Sequence, residues 1–245
     1  MGRLRKNVPL PSVAGNSMAH DVSPSHSPTG ITVLSDSGTG RTFITIVDDE
    51  SYLPFAKSVV EKLSQRARSV LLISSAVTAT SWQALSEAFS ATLSDLNIRQ
   101  ASVVGMGAGA ALAQNLALSN PKAVRSLAIV DSSSRPHPTL WERAIDWLEE
   151  HLPFGLPLRL GSHGFNVKAY VHRLRCPLLV IATSRASAFI KDELKSIALR
   201  APTAWRVTLS GSIDSQIAEL SDTLLDFQDT PAKCPQKNVK DIENG

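Results

Sequence analysis

The chain reads as an α/β protein with a mostly parallel central sheet covered by helices on both faces. Three observations predict this. Short apolar, β-branched runs alternate with amphipathic stretches of helical length. The runs at 70–73 and 101–104 are brief and apolar, as strands buried on both faces of a parallel sheet must be. The second of them passes directly into a glycine-rich turn and an alanine- and leucine-rich helix, ASVVGMGAGAALAQNLALS at 101–119.

In chain order, residues 1–29 are rich in Pro, Ser, Asn and His without periodicity and are expected to be disordered. The ordered domain spans 30–229 and a polar, flexible tail covers 230–245. Strands are expected at 31–34 and 42–47, separated by the turn SDSGTG at 35–40. Residues 51–67 carry an apolar stripe of Leu53, Phe55, Ala56, Val59, Val60 and Leu63 at helical spacing. A strand at 70–73 and a helix at 81–96, with Trp82, Leu85, Phe89 and Leu93 on one face, follow. After the strand and helix of 101–118 comes a strand at 126–130. The alternation then breaks: 135–175 holds one amphipathic helix at 139–152 and a Pro- and Gly-rich loop. It resumes with a strand at 176–181, a helix at 191–200, a strand at 205–209 and a last helix at 216–228.

Composition excludes several classes. The net charge of +3 is mild and scattered, which does not point to nucleic acid. Cys176 and Cys234 are far apart, Cys176 at the head of an apolar strand and Cys234 in the tail, so neither a disulfide framework nor a metal cluster is expected. No apolar run reaches the roughly 18 residues of a membrane span, and the start has no continuous apolar stretch of a leader. A cytoplasmic protein with no cofactor is the expectation; the oligomeric state is left open.

Strand, tight glycine turn, helix is the geometry of a nucleophile elbow. The elbow needs small residues where strand and helix nearly touch, and Gly105, Ala108 and Gly109 supply them. With the downstream PKAVRSLAIVDSSSR (121–135), the stretch resembles the α/β-hydrolase family. The resemblance implies that fold for 30–229 and makes 135–175 a short cap insertion between two strands. In the cap helix Leu140, Trp141, Ala144, Trp147 and Leu148 recur at helical spacing. They either pack the cap onto the core or form an aromatic lid or partner surface.

The resemblance also says where hydrolytic machinery belongs, and each position departs. The nucleophile position falls on Gly107, the acid position on Ala186 within CPLLVIATSRA, and the histidine position nearest Asp214. No histidine follows His172 anywhere in the chain. The oxyanion loop after the strand ending at Val47 reads Asp48-Asp49-Glu50 in place of His-Gly. These carboxylates either repel a developing oxyanion or face solvent and cap the next helix. Glycine at the tip relieves a backbone strain of about 1–3 kcal/mol that a nucleophile must bear there. The expected protein is therefore a degenerate member that binds a small apolar ligand or a protein partner. Its pocket is expected to involve Asp48, Asp49, Met106, Gly107, Ala108, Ser132 and Trp141. Convergence of Asp48, Asp49 and Asp214 would suit a cation or an amine.

Two alternatives stay open. Ser132, Ser133 and Ser134, or Ser74 and Ser75, can meet His137, His151, His163 or His172 in an unconventional hydrolase, although such serines more often cap turns. Gly105-x-Gly107-x-x-Ala110 also fits a loose dinucleotide fingerprint, with Asp131 at the end of the next strand for a ribose and Arg135 for a 2′-phosphate.

Overall fold

A computed structural model describes residues 31–47, 50–74, 82–132 and 170–229. The expected cap helix, Asp48, Asp49, Trp141 and the serines at 75, 133 and 134 lie outside these residues. The strands are β1 (Ile31–Ser37), β2 (Thr42–Val47), β3 (Arg68–Ser74), β4 (Ala101–Met106), β5 (Val124–Val130), β6 (Leu178–Ala182) and β7 (Ala204–Thr208). The helices are α1 (Leu53–Ser64), α2 (Trp82–Asp95), α3 (Gly109–Ser119), α4 (Ala188–Arg200) and α5 (Ile213–Asp229). A 3-10 turn, Val171–Arg173, precedes β6.

The seven strands form one sheet in the order β1-β3-β2-β4-β5-β6-β7. Only β1 is antiparallel; every other neighbour pair is parallel. Side chains alternate between two apolar layers, as the two-residue period of strands requires. Ile44, Ile46, Val103, Leu127, Ile129 and Val180 face one layer with Phe89, Leu116 and Ile197 of α2, α3 and α4. Phe43, Val104, Met106, Val130, Leu179 and Ile181 face the other with Val59 and Leu63 of α1 and Leu220, Leu224 and Phe227 of α5. The predicted sheet, buried on both faces, is present.

Several elements run longer or shorter than their apolar runs. β1 continues through polar Ser35-Asp36-Ser37, and β3 starts at Arg68, two residues ahead of the apolar run. One ion pair accounts for both extensions: Arg68 donates to the two Asp36 carboxylate oxygens at 3.0 and 2.6 Å across the antiparallel ladder. The chain turns back over Gly38 and Gly40, both at positive φ. α1 holds the whole stripe but is shorter than the expected 51–67, and Pro54 sits in its first turn, where a missing N–H costs nothing. α4 starts at Ala188 because the Ser187 hydroxyl accepts from Ile190 N at 3.3 Å. β6 starts at Leu178, beyond Cys176 and Pro177. Cys176 is buried in the apolar layer, and burial pushes its thiol up to about 11. That thiol is a packing group, not a nucleophile.

The contact that positions everything functional lies between β4 and α3. A Cβ at Gly105 would fall 2.8 Å from the Ala113 Cβ and nearer still to the Ala110 Cα. A Cβ at Gly109 would fall 2.6 Å from the Ile46 carbonyl oxygen. Backbone meets backbone here, as the small residues predict. Gly105→Ala is expected to lower stability by about 2 kcal/mol or more, since the obstruction includes main chain that cannot rotate away; chemical denaturation against the parent protein measures it.

Candidate functional site

The elbow forms at the carboxyl end of the central strand. Met106 ends β4, Gly107 makes the turn and α3 starts two residues later. Gly107 N donates to the Val130 carbonyl at 2.9 Å, which locks the tip to the neighbouring strand. Its φ is +56°, in the left-handed region that favours glycine. The strained tip expected from the sequence is therefore retained, with the one residue that bears it cheaply.

A tyrosine covers that tip. Tyr52 is the residue before α1, and its side chain makes no cap bond to that helix. Its ring instead turns over the elbow. A Cβ placed on Gly107 would lie 2.7 Å from Tyr52 Cδ2 and 2.9 Å from Cε2. The guanidinium of Arg185 lies over the same ring, 4.7 Å from its centroid, in cation–π contact. Arg185 also donates to the Ser51 carbonyl at 3.2 Å.

Beside the ring is a buried carboxylate. Asp131 follows β5 with φ +48° and is 2% exposed. It accepts from Thr183 N at 2.7 Å and from the Thr183 hydroxyl. The Tyr52 hydroxyl donates to its Oδ2 at 3.4 Å. Burial dominates the Asp131 environment and raises its carboxyl above the ordinary value of 3.8, against the opposing pull of Thr183, Tyr52 and Arg185. The loop carrying Thr183 and Arg185 is pinned by Gln216 of α5. Gln216 accepts from Ser184 N at 3.2 Å and donates to the Ser184 hydroxyl and the Gly211 carbonyl, each at 2.7 Å.

The residues singled out from the sequence distribute unevenly around this centre. Gly107 is its floor, and Ala108 caps α3 beside it. Met106 is fully buried among apolar neighbours, so it supports the floor without lining an open site. Ser132 follows Asp131 and is fully buried. Asp214, at the histidine position, is exposed in the first turn of α5. Ala186, at the acid position, is buried and donates its N–H to the Thr183 carbonyl at 3.2 Å. His172 is exposed in the 3-10 turn. The carboxylate linked to the ring over the elbow is Asp131, after β5, not a residue in the segment after β6. Thr183 donates to both Asp131 oxygens, and Tyr52 adds a third, longer bond to Oδ2. Tyr52, Thr183 and Arg185 carried no signal of their own in the sequence. Among the described residues, no group of three or more His, Cys, Asp or Glu side chains is arranged to hold a metal ion.

No protein-family model and no curated protein matches the sequence. Solved structures do match. A hydrolase from Pseudomonas aeruginosa is 16% identical with a TM-score of 0.60, covering 86% of this chain and 98% of its own. An enol-lactonase from Burkholderia xenovorans is 16% identical with a TM-score of 0.58, covering 80% and 96%. An enzyme described as degrading N-acyl homoserine lactones is 15% identical with a TM-score of 0.62, covering 84% and 100%. The chain has the α/β-hydrolase fold.

Two outcomes follow from the geometry. Gly107→Ala is expected to cost about 1–3 kcal/mol through its left-handed φ, plus the contact with Tyr52. Combined with Tyr52→Ala it should cost less than the sum of the single changes, which a double-mutant cycle by denaturation measures. The second concerns pH. Asp131 holds its proton to higher pH when folded than when unfolded, so the folded state binds more protons between the ordinary and the raised values. Stability contributed at this position therefore falls as pH rises through that window and is level above it. Wild-type stability measured relative to Asp131→Asn should decline across the window, and a flat difference would contradict the burial argument.

Proposed function

We propose that this chain is a hydrolase-fold protein without serine-hydrolase activity, which uses the carboxyl ends of its strands to bind a small ligand or a partner. One observation carries the reading: the tip of the elbow is Gly107, and the Tyr52 ring occupies the space into which a nucleophile's side chain would project.

The rest of the chemistry supports it. Acyl transfer needs an exposed nucleophile, a base in reach, a group orienting that base, and donors for the oxyanion. The tip carries no side-chain oxygen. The chain has no histidine beyond His172 to act as base. Ala186 cannot orient one, and the carboxylate that does lie nearby, Asp131, accepts from Thr183 and Tyr52 rather than from a histidine. A ligand of the kind suited to such a site is small and largely apolar, with few polar anchors.

The competing reading is a hydrolase with another nucleophile. Of its candidate serines, Ser132, next to Asp131, and Ser74 are among the described residues, and their burial opposes attack on an external ester. The test is purified protein against a panel of short- and medium-chain activated esters, with a fluorophosphonate probe in parallel. We expect no turnover above buffer and no labelling. Labelling that Ser132→Ala abolishes would overturn the proposal. Nicotinamide dinucleotides are expected to leave the melting temperature unchanged; a rise would revive the dinucleotide reading.

A further inference from the structure

The cradle above the elbow is occupied by the protein itself, and the occupant describes what the cradle accepts. Its floor is the Gly107 main chain, which lies against the Tyr52 ring with no side chain between them. Its roof is the Arg185 guanidinium, 4.7 Å from the ring centroid. At its far end Asp131 presents an acceptor to the ring's hydroxyl. Floor, roof and acceptor together fit a flat ring with a hydrogen-bond donor at one end.

We propose that this cradle is a binding site for phenol-type ligands, planar aromatic rings bearing a hydroxyl, and that Tyr52 fills it in the free protein. The inference rests on the ligand-binding reading above and names the ligand class. Tyr52 makes a long hydrogen bond to the acceptor. Its hydroxyl is 3.4 Å from Asp131 Oδ2, near the outer limit of a hydrogen bond, whereas the Thr183 amide reaches the same carboxylate at 2.7 Å. The ring is tethered to the start of α1, whose backbone is committed by the Ala56 N to Tyr52 carbonyl bond at 2.9 Å. An untethered phenol is under no such restraint and can close to the shorter distance of a hydroxyl on a carboxylate, about 2.5–2.7 Å. The outer wall is also the more accessible part of the site: Tyr52 is half-buried and Arg185 exposed, while Asp131 and Thr183 are buried. Ligand entry therefore means rotation of Tyr52 outward, with the buried acceptor left in place for the incoming hydroxyl. Rings without a donor gain the floor and roof but leave the acceptor unmatched.

The chain has two tyrosines, Tyr52 and Tyr170, so 3-fluorotyrosine labelling yields two fluorine resonances, assigned with Tyr170→Phe. The full-length protein is titrated with 4-methylphenol and, separately, with 4-methylanisole, which keeps the ring and lacks the donor. We expect 4-methylphenol to move the Tyr52 resonance toward that of an unstructured tyrosine and leave Tyr170 in place, with no such movement from 4-methylanisole. In Tyr52→Ala, 4-methylphenol should raise the melting temperature and bind at least tenfold more tightly than to the parent, because no occupant has to leave. An unmoved Tyr52 resonance overturns the proposal, as does an equal response to both compounds. Should Tyr52→Ala not fold, the titration of the parent protein decides alone. The fluorophosphonate assay on the same preparation separates the two claims. Labelling would sink the non-hydrolytic reading, whereas silence in both experiments would sink only the ligand assignment.

Discussion

Everything at the functional end of this molecule depends on how closely α3 approaches the sheet. Gly105 and Gly109 let the helix backbone rest against β4 and β2 with no side chain between them. A helix that close cannot be entered by a relaxed loop. The chain must reverse within one residue, and the left-handed Gly107 is that residue. The bond from Gly107 N to the Val130 carbonyl then transmits the position of the turn to β5. The elbow is thus a consequence of packing, and it persists whether or not a nucleophile stands on it.

The second constraint is the buried Asp131 carboxylate. Burying a charge is unfavourable unless hydrogen bonds surround it. Thr183 provides two and Tyr52 a weaker third, so one side chain draws together the end of β5, the loop after β6 and the start of α1. Gln216 extends the same network to α5. The elements that converge on the elbow are therefore tied by polar contacts, while the layers beneath them are held by apolar ones. That division gives the site a defined shape.

Tyr52 links these two constraints. A side chain at position 107 would conflict with its ring, so glycine at the tip and tyrosine above it are compatible with each other in a way that serine and tyrosine would not be. Arg185 completes the arrangement from above.

The sequence by itself determined the alternation of strands and helices, the two-sided burial of the sheet and the place of the elbow. These are set by local pattern: runs such as 101–104, the stripe of α1, and small residues wherever backbones must touch. It also located the absence of a side chain at position 107, since glycine is legible at once. It underestimated β1 and β3, because the Asp36–Arg68 pair makes polar residues part of a ladder. Asp131 was visible as a strand-end acid, but its reading was as a ribose ligand and not as the acceptor for Thr183. Tertiary structure alone decided that Thr183 would bind it, that Tyr52 would cover Gly107, and that Asp214 would stand in solvent. The physical reason is that these contacts join residues remote in sequence. Their geometry follows from the order in which parallel strands are laid beside one another, and no periodicity along the chain encodes that order.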